Sequence, residues 1–433
     1  SDPSPAAERQ ILTQYIRPNS VYGDIGARAA TLREESTVAG DEGFDSLLTE
    51  LTEFRPETYV AVGPYQLLAE NISDAQITLV KNEGGLNADV VRFDEIVLWN
   101  GETEAVTPLV TGGDLWYGTY GFPPATEAAF VDAGIDIIRG PSYNGPALYF
   151  NHSVAPFDRV EVRQALAHAI DREENGFVSL GESGVAVEYM AGLSDNLLPL
   201  YLPEEVLGLF NTYDYDPDMA AQMLEDIGFT RGSDGVWMDE AGNRMSFELI
   251  FPAEFADWAA AAENVAQALN DFGFEITARG VQFQQQQQEV YDSNFELAIR
   301  NWGASSPLPY ASYLETYERY NGAGLLAGEE VGGGMQFDPN VTYSGGNLNV
   351  YDTTIASSQG LDADTQAGLV EALAVSFNEL LPAIPLWERY GNNPMNREFL
   401  DAPAGDDPIY NNAGNLDHFI AYLILTGGIG PAQ

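Results

Sequence analysis

The chain contains no cysteine. That excludes disulfides, thiol nucleophiles and thiolate metal sites. Cations are also scarce: Lys and Arg total 18 against 66 Asp and Glu, a formal net charge of −48, and Lys81 is the only lysine. Charged residues are only 19% of the chain. An average protein has roughly 25%, so the imbalance comes largely from missing cations. Such a surface repels itself at low ionic strength. At 1 M salt the Debye length falls to about 3 Å and most of that repulsion is screened. The acids are spread along the whole chain, which favours an acidic solvation surface over a cation-binding or nucleic-acid-mimicking protein. Nucleic acid and anionic membranes are disfavoured as direct partners. No run of 18 apolar residues is present, so no segment reads as a membrane span. The opening Ser1-Asp-Pro-Ser-Pro-Ala-Ala-Glu8 reads as neither a signal peptide nor a lipid-anchoring segment.

Catalytic signatures are missing as well. His152, His168 and His418 are scattered, with no HExxH pair. Gly181-Glu-Ser-Gly184 lacks the last glycine of a nucleophile elbow, Val185 standing there. There is no phosphate-cradling Gly-Lys-Ser/Thr loop. Asp214, Asp216, Asp218 and Glu225 match calcium-loop spacing, but Met219 occupies the glycine position and Pro217 fits a helix start better. The reading is a non-enzyme with neither metal nor cofactor. Three Asn-x-Ser/Thr sequons occur, at Asn71, Asn151 and Asn340.

At 433 residues with 45% apolar content, the chain can build two or more domains with real cores. Leu148-Tyr-Phe150 reads as a short buried strand. After Pro156, Asp158 and Glu161 have capping-box spacing, and Val162, Ala165, Leu166, Ala169 and Ile170 follow on one helical face. Asp171 and Arg172 fall at its polar end. Residues 1–57 read as helical and polar. Strand-like runs follow at Tyr59–Val62, Ile77–Val80, Glu95–Trp99 and Ile135–Ile138. Asp216 and Pro217 open a helix that Gly228 closes. Strands at 247–251, 274–281 and 295–302 alternate with helices at 258–269 and 285–291, which predicts an α/β fold with a largely parallel, doubly wound sheet. A helix over 363–380 and the strand Ala383-Ile-Pro-Leu-Trp387 complete the pattern.

Open α/β sheets bind ligands beyond the carboxyl ends of their strands. Arg300, Asn301 and Trp302 occupy such an end, and Gly303 lets the chain turn. Tyr310, Tyr313, Tyr317, Tyr320, Tyr343, Asn347 and Asn349 then crowd a Gly-rich stretch. Rigid aromatics beside amides suit a cleft for a polar organic solute; a core aromatic is the competing reading of Trp302, and local packing that of the tyrosines. Trp387 is a second candidate aromatic.

Several segments together resemble the solute-binding proteins of peptide-type ABC transporters. They are Gly63-Pro-Tyr65, Ile77-Thr-Leu-Val-Lys-Asn82, Tyr149-Phe-Asn151 with Pro156-Phe-Asp158 and Val162-Arg-Gln-Ala-Leu166, Tyr215-Asp-Pro217 through Gly228-Phe229, Asn294 to Gly303, and Ile384-Pro-Leu-Trp387. The resemblance runs from about Tyr59 to the C-terminus. It implies a two-lobed periplasmic-binding-protein-like clamp that closes over a peptide or other small polar solute and delivers it to an ABC permease. It implies residence at the outer face of the cytoplasmic membrane with a lipid-anchored precursor, and the composition resembles that of halophilic archaea. Residues 59–150 and 406–433, with a strand near Phe419–Leu425, would form part of the first lobe. Residues 151–405 would form the second, and 1–58 a helical or irregular N-terminal segment. The implied ligand-binding set is Arg300, Asn301, Trp302, Tyr310, Tyr313, Tyr343, Asn347 and Trp387.

Two departures shape the expectation. Only 62 residues precede Gly63, where the family carries a long region, so the first lobe is expected to be incomplete and open to completion by a second polypeptide. Many peptide binders also place an acid soon after the Trp-Gly pair. Ala304–Tyr310 has none, which argues against a dipeptide with a free amino terminus. The alternative to a working receptor is a degenerate scaffold with a structural role at the cell surface.

Overall fold

The structure, a computed structural model, describes residues 17–35, 41–57, 59–101, 103–119, 121–322, 333–360, 362–411 and 418–432. The sequence expectations for residues 1–16 and 323–332 lie outside them. The chain divides into two compact units, a larger one built mainly from residues 105–397 and 404–419 and a smaller one from 9–104, 398–403 and 420–433.

The smaller unit holds helices α1 (Asn19–Glu34) and α2 (Glu42–Glu53) and an antiparallel sheet of β1 (Tyr65–Ile72), β2 (Gln76–Lys81) and β3 (Glu95–Trp99) in that order. The run at 59–62 is not a strand; pairing starts at Tyr65, after Pro64, which has no backbone N–H to offer a ladder. Arg92 reaches Asp401 at 2.7 Å. Residues 418–425 form a helix rather than the expected strand. Seven of those eight residues are apolar, and so continuous a run carries no period by which to tell helix from strand.

The larger unit is organised by a five-stranded sheet. Its strands are β4 (Asn144–Phe150), β5 (Ser246–Pro252), β6 (Glu275–Val281), β7 (Leu297–Gly303) and β8 (Ala383–Pro385), in the order β6-β5-β7-β4-β8. The sheet is mixed: β6, β5 and β7 run parallel, and β4 is antiparallel to both β7 and β8. The strands read as continuous apolar runs because their neighbours bury them; Ala147 to Phe150 and Leu249, Ile250, Ala298 and Ile299 are all closed to solvent. Crossover helices α3 (Val160–Ala169), α4 (Arg172–Leu180), α5 (Pro217–Asp226), α6 (Ala256–Phe272), α7 (Phe283–Tyr291) and α8 (Ala363–Leu380) lie between them in sequence.

Local signals explain most boundaries. Asp216 accepts from the Met219 amide with Pro217 at the first helical position, so the calcium-loop spacing is a helix cap. Gly228 and Gly273 close their helices at positive φ. The capping box at Asp158 and Glu161 does not form: Arg159 is the N-cap residue of α3, extended and without a side-chain cap. Arg172 is not at a polar end but buried. Its guanidinium donates to the carbonyls of Val187, Ala167, Tyr213 and Thr212, and burial lowers its pKa to about 10. Arg163 is likewise buried. It donates to the Leu380 and Leu381 carbonyls at the end of α8 and to Phe157, and burial lowers it to about 10. A cation at a helix C-terminus meets orphan carbonyls and the negative end of the dipole together.

Candidate functional site at the strand ends

Because β8 runs in the same sense as β7, the carboxyl ends of β5, β6, β7 and β8 and the amino end of β4 share one edge of the sheet. The segments leaving or entering that edge are Ala253–Phe255, Gln282–Phe283, Ala304–Ser306, Leu386–Tyr390 and Tyr143–Asn144. Backbones approach closely there: a Cβ on Gly303 (φ +68°) would lie 2.4 Å from the Tyr143 carbonyl oxygen, and one on Gly145 2.0 Å from that of Trp387. Glycine is the residue that permits both approaches.

Over β5 and β6 the edge is aromatic. Phe255 packs against Trp258 at 5.6 Å and against Phe283 at 5.0 Å, all three partly exposed. The Glu254 carboxylate accepts from the Phe283 amide and fixes that corner.

Over β7, β4 and β8 the edge is polar. Glu388, 3% exposed, accepts from the Tyr143 amide (3.1 Å), the Ser194 hydroxyl (2.7 Å) and the Asn196 side-chain amide (3.1 and 3.2 Å). Asn196 also donates to the Tyr390 hydroxyl at 2.7 Å. Asn144 donates to Ser305 at 2.6 Å, and the Tyr143 hydroxyl to the Asn411 carbonyl at 2.9 Å. Burial pushes the Glu388 carboxyl up to about 7; the Ser194 bond opposes this and the neighbouring Asp195 adds to it. Burial raises Asp195 to about 6.

The expected residues fall into three groups. Trp302, Trp387, Tyr313 and Arg300 are core: at most 1% is exposed. Their polar atoms are engaged internally, Trp302 with the Trp387 carbonyl, Trp387 with Asn175, Tyr313 with the Ala191 carbonyl, and Arg300 with Gln286 and Tyr320. They underlie the edge instead of lining an open groove. Asn301 stays partly exposed at the edge and donates to the Gly303 carbonyl. Tyr310 lines a separate cavity of about 540 Å³ with Tyr201, Leu308, Gln359, Asp364 and Gln366. Tyr343 and Asn347 lie on a hairpin pairing 340–343 with 346–349, whose turn residue Ser344 bonds Glu379 near the end of α8. Asn347 is exposed there, accepting from Thr342. The structure does not bring these two to the strand ends.

Sequence reasoning missed Glu388, Asn196, Tyr390, Tyr143, Asn144, Ser305, Phe255 and Phe283, and read Trp258 only as part of a helix face. One signal was available: Glu388 is an acid directly following the apolar run Ala383–Trp387, where burial demands partners. Among the described residues no group of three His, Asp or Glu could hold a metal, and no helix is long and apolar enough to cross a membrane. Of the sequons, Asn151 is buried with its side-chain amide donated to the Ser293 and Phe295 carbonyls.

The family described as "Bacterial extracellular solute-binding proteins, family 5 Middle" matches residues 46–324, more than half of the chain. A probable ABC transporter-binding protein of Deinococcus radiodurans is 28% identical over 149 residues, 34% of this chain and 24% of that protein. Heme-binding protein A of Haemophilus influenzae is 24% identical over 307 residues, 67% of this chain and 48% of that protein. The chain thus spans about half or less of the curated relatives it matches. Among solved structures, a Thermotoga maritima periplasmic oligopeptide-binding protein bound to mannohexaose superposes with a TM-score of 0.72 at 17% identity, covering 99% of this chain and 76% of that one. The oligopeptide-binding protein AppA of Bacillus subtilis, in complex with a nonapeptide, gives 0.60 at 16% identity over 86% and 66%. At such identities these structures establish the fold, two-lobed in the known members, and the sequence match establishes the rest: the chain belongs to the bacterial extracellular solute-binding proteins of family 5, which are binding proteins and not enzymes.

Proposed function

We propose that this protein is the solute-capturing component of an ABC importer, working outside the cell and handing its cargo to a membrane permease. Membership in a solute-binding family supports this reading over that of a degenerate scaffold. The observation that carries it is the shared strand edge, where partly exposed aromatics (Phe255, Trp258, Phe283) adjoin partly exposed polar groups (Tyr143, Asn144, Asn301, Ser305, Tyr390). Aromatic faces with a few fixed polar groups are the usual recipe for an organic ligand site.

The cargo is read as a neutral polar chain, an oligosaccharide or an oligopeptide longer than a dipeptide. Ala304–Tyr310 offers no acid for a free amino terminus, and the Glu388 carboxylate is already saturated by donors. The mannohexaose and nonapeptide complexes of the two structural neighbours are in keeping with that class. The acidic, lysine-poor surface supports life in concentrated salt in a halophilic archaeon, and a lipid anchor on the precursor would hold the receptor near its permease. A second polypeptide on the smaller unit is part of the proposal only as completion of its three-stranded sheet, whose outer strands β1 and β3 each have a single neighbour among the described residues.

The test is titration calorimetry in molar salt with mannohexaose and with a nonapeptide. Binding that Asn144→Ala or Ser305→Ala weakens at least tenfold, with unfolding unchanged, supports the assignment. Binding that neither substitution touches refutes this location.

A further inference from the structure

Resting on the reading of the strand edge as the solute site, we propose that Glu388 is its positioning residue: one buried carboxylate holds Tyr143, Ser194 and Asn196, and through Asn196 also Tyr390, in the arrangement that meets the cargo.

The geometry is specific. Glu388 sits on the three-residue strand Trp387–Arg389, immediately beyond β8, and is 3% exposed. Its two oxygens take four contacts from three residues on two separate segments: one from Tyr143 at the entry to β4, and from the 194–196 turn one by Ser194 and two by Asn196. Among the described residues no cation pairs with it, and neutral donors carry its charge. Tyr143 stands at φ +61°, a left-handed conformation that side chains rarely adopt, and its amide bonds Glu388. Asn196 is exposed and has two jobs, reaching Glu388 and the Tyr390 hydroxyl together. Remove the carboxylate, and the Tyr143 amide, the Ser194 hydroxyl and the Asn196 amide lose one common acceptor. A buried donor left unpaired carries its full desolvation penalty, so these segments would rearrange to reach water.

The same arrangement makes the edge sensitive to protons. The groups facing Glu388 are Asp195 from the 194–196 turn, Tyr143 from the entry to β4 and Tyr390 just past its own strand; Glu188 and Arg172 lie beyond, against Asp195. With burial holding the Glu388 carboxyl near 7, the acid changes state across the neutral range. Ser194 can rotate its hydroxyl to accept from a protonated Oε2, and Oε1 continues to accept from Tyr143. Protonation removes the Asn196 bond to Oε2 and leaves the 3.2 Å bond to Oε1, so the residue that holds the Tyr390 hydroxyl is itself held at one oxygen instead of two. Glu388→Gln, with an amide nitrogen where the proton would sit, reproduces the protonated state at every pH. Glu388→Ala removes the hub altogether.

The experiment reads hydrogen exchange of segment 141–146 in the intact protein in molar salt, and mannohexaose affinity at pH 5.5 and pH 8. For exchange, the expected result is a Tyr143 amide at least tenfold faster in Glu388→Ala and within twofold of wild type in Glu388→Gln, with the β7 amides unchanged in both. For affinity, wild type should bind at least fivefold more tightly at pH 8 than at pH 5.5, and Glu388→Gln should be flat with pH at the weaker value. A purely structural role would not produce that pH profile or its loss on a neutral, isosteric change. Tyr143 exchange in Glu388→Ala within twofold of wild type overturns the proposal, as does wild-type pH dependence surviving in Glu388→Gln. The exchange arm needs no solute. Should Glu388→Ala accelerate Tyr143 while Asn144→Ala and Ser305→Ala leave mannohexaose binding untouched, positioning by Glu388 stands and the location of the cargo falls.

Discussion

The two units use the same materials at different depths. In the larger one, β4 is closed to solvent from Gly145 to Phe150, and β7 from Leu297 to Arg300. In the smaller one no side chain of β1, β2 or β3 is fully buried, and Val97 and Leu98 are 41% and 51% exposed. Each fully buried aliphatic or aromatic side chain contributes about 1.5–3 kcal/mol of transfer free energy, so stability concentrates in the larger unit. So do the structural cations. In a chain with so few, Arg163 and Arg172 are spent on backbone carbonyls, where no other residue type could serve five donors in a fixed fork. The difference teaches where precision is needed: the deep sheet fixes the strand ends, and the strand ends present the candidate site.

The largest effect that would break this comparison comes from the deep core. Trp302→Ala should lower stability by about 3–5 kcal/mol, and Arg163→Ala, which strands three carbonyls at the end of α8 and beside Phe157, by about 3 kcal/mol or more. Both should appear in thermal unfolding of the larger unit, and for Trp302 the loss should come through stability rather than solute contact. A fully stable Trp302→Ala protein would mean that the indole is not the packing element described here.

Next comes pH. Glu388 has a folded pKa of about 7 against an ordinary 4.5. The folded state therefore binds more protons between those values, and stability falls as pH rises through that window, by at most about 3 kcal/mol. Below the ordinary value the contribution is fully present; above the folded value it is gone. Asp195, raised to about 6 from 3.8, adds a fall over a lower window of the same sign. Denaturant midpoints of wild type and Glu388→Gln across pH 4–8 check this: the variant should have the flatter profile, and equal slopes would contradict the assignment.

Lower in magnitude, reducing salt should separate the units. With a net charge of −48, self-repulsion grows as the Debye length lengthens from about 3 Å at 1 M to about 10 Å at 0.1 M. Hydrogen exchange should show the β1–β3 amides opening before those of β4 and β7. Simultaneous opening would erase the distinction. The smallest effect is Leu98→Ala on the exposed strand, expected within about 0.5 kcal/mol in the same unfolding assay.

Much of the larger unit was legible because its signals are local. The Asp216-Pro217 start, the Gly228 and Gly273 stops and the 363–380 helix are read from caps and periodicity alone. Sheet direction was less so: nothing in Leu148-Tyr-Phe150 says that β4 runs against β7, since a buried strand is apolar either way. The helix at 418–425 escaped for the same reason. The site was legible only as a location. The rule of strand carboxyl ends led to Trp302, but the side chains left partly open at that edge come from Tyr143, Asn144, Ser305 and Tyr390, distant in sequence and joined by register and by Glu388. One acid among 66 Asp and Glu does not announce itself, and the left-handed turn at Tyr143 has no glycine to mark it.

The most direct test of the strand-edge site is hydrogen exchange in molar salt with and without mannohexaose. The expected result is slowed exchange confined to 141–146, 301–306 and 387–391. Protection instead around the Tyr343–Asn347 hairpin or the cavity beside Tyr310, with the strand ends unchanged, would contradict it.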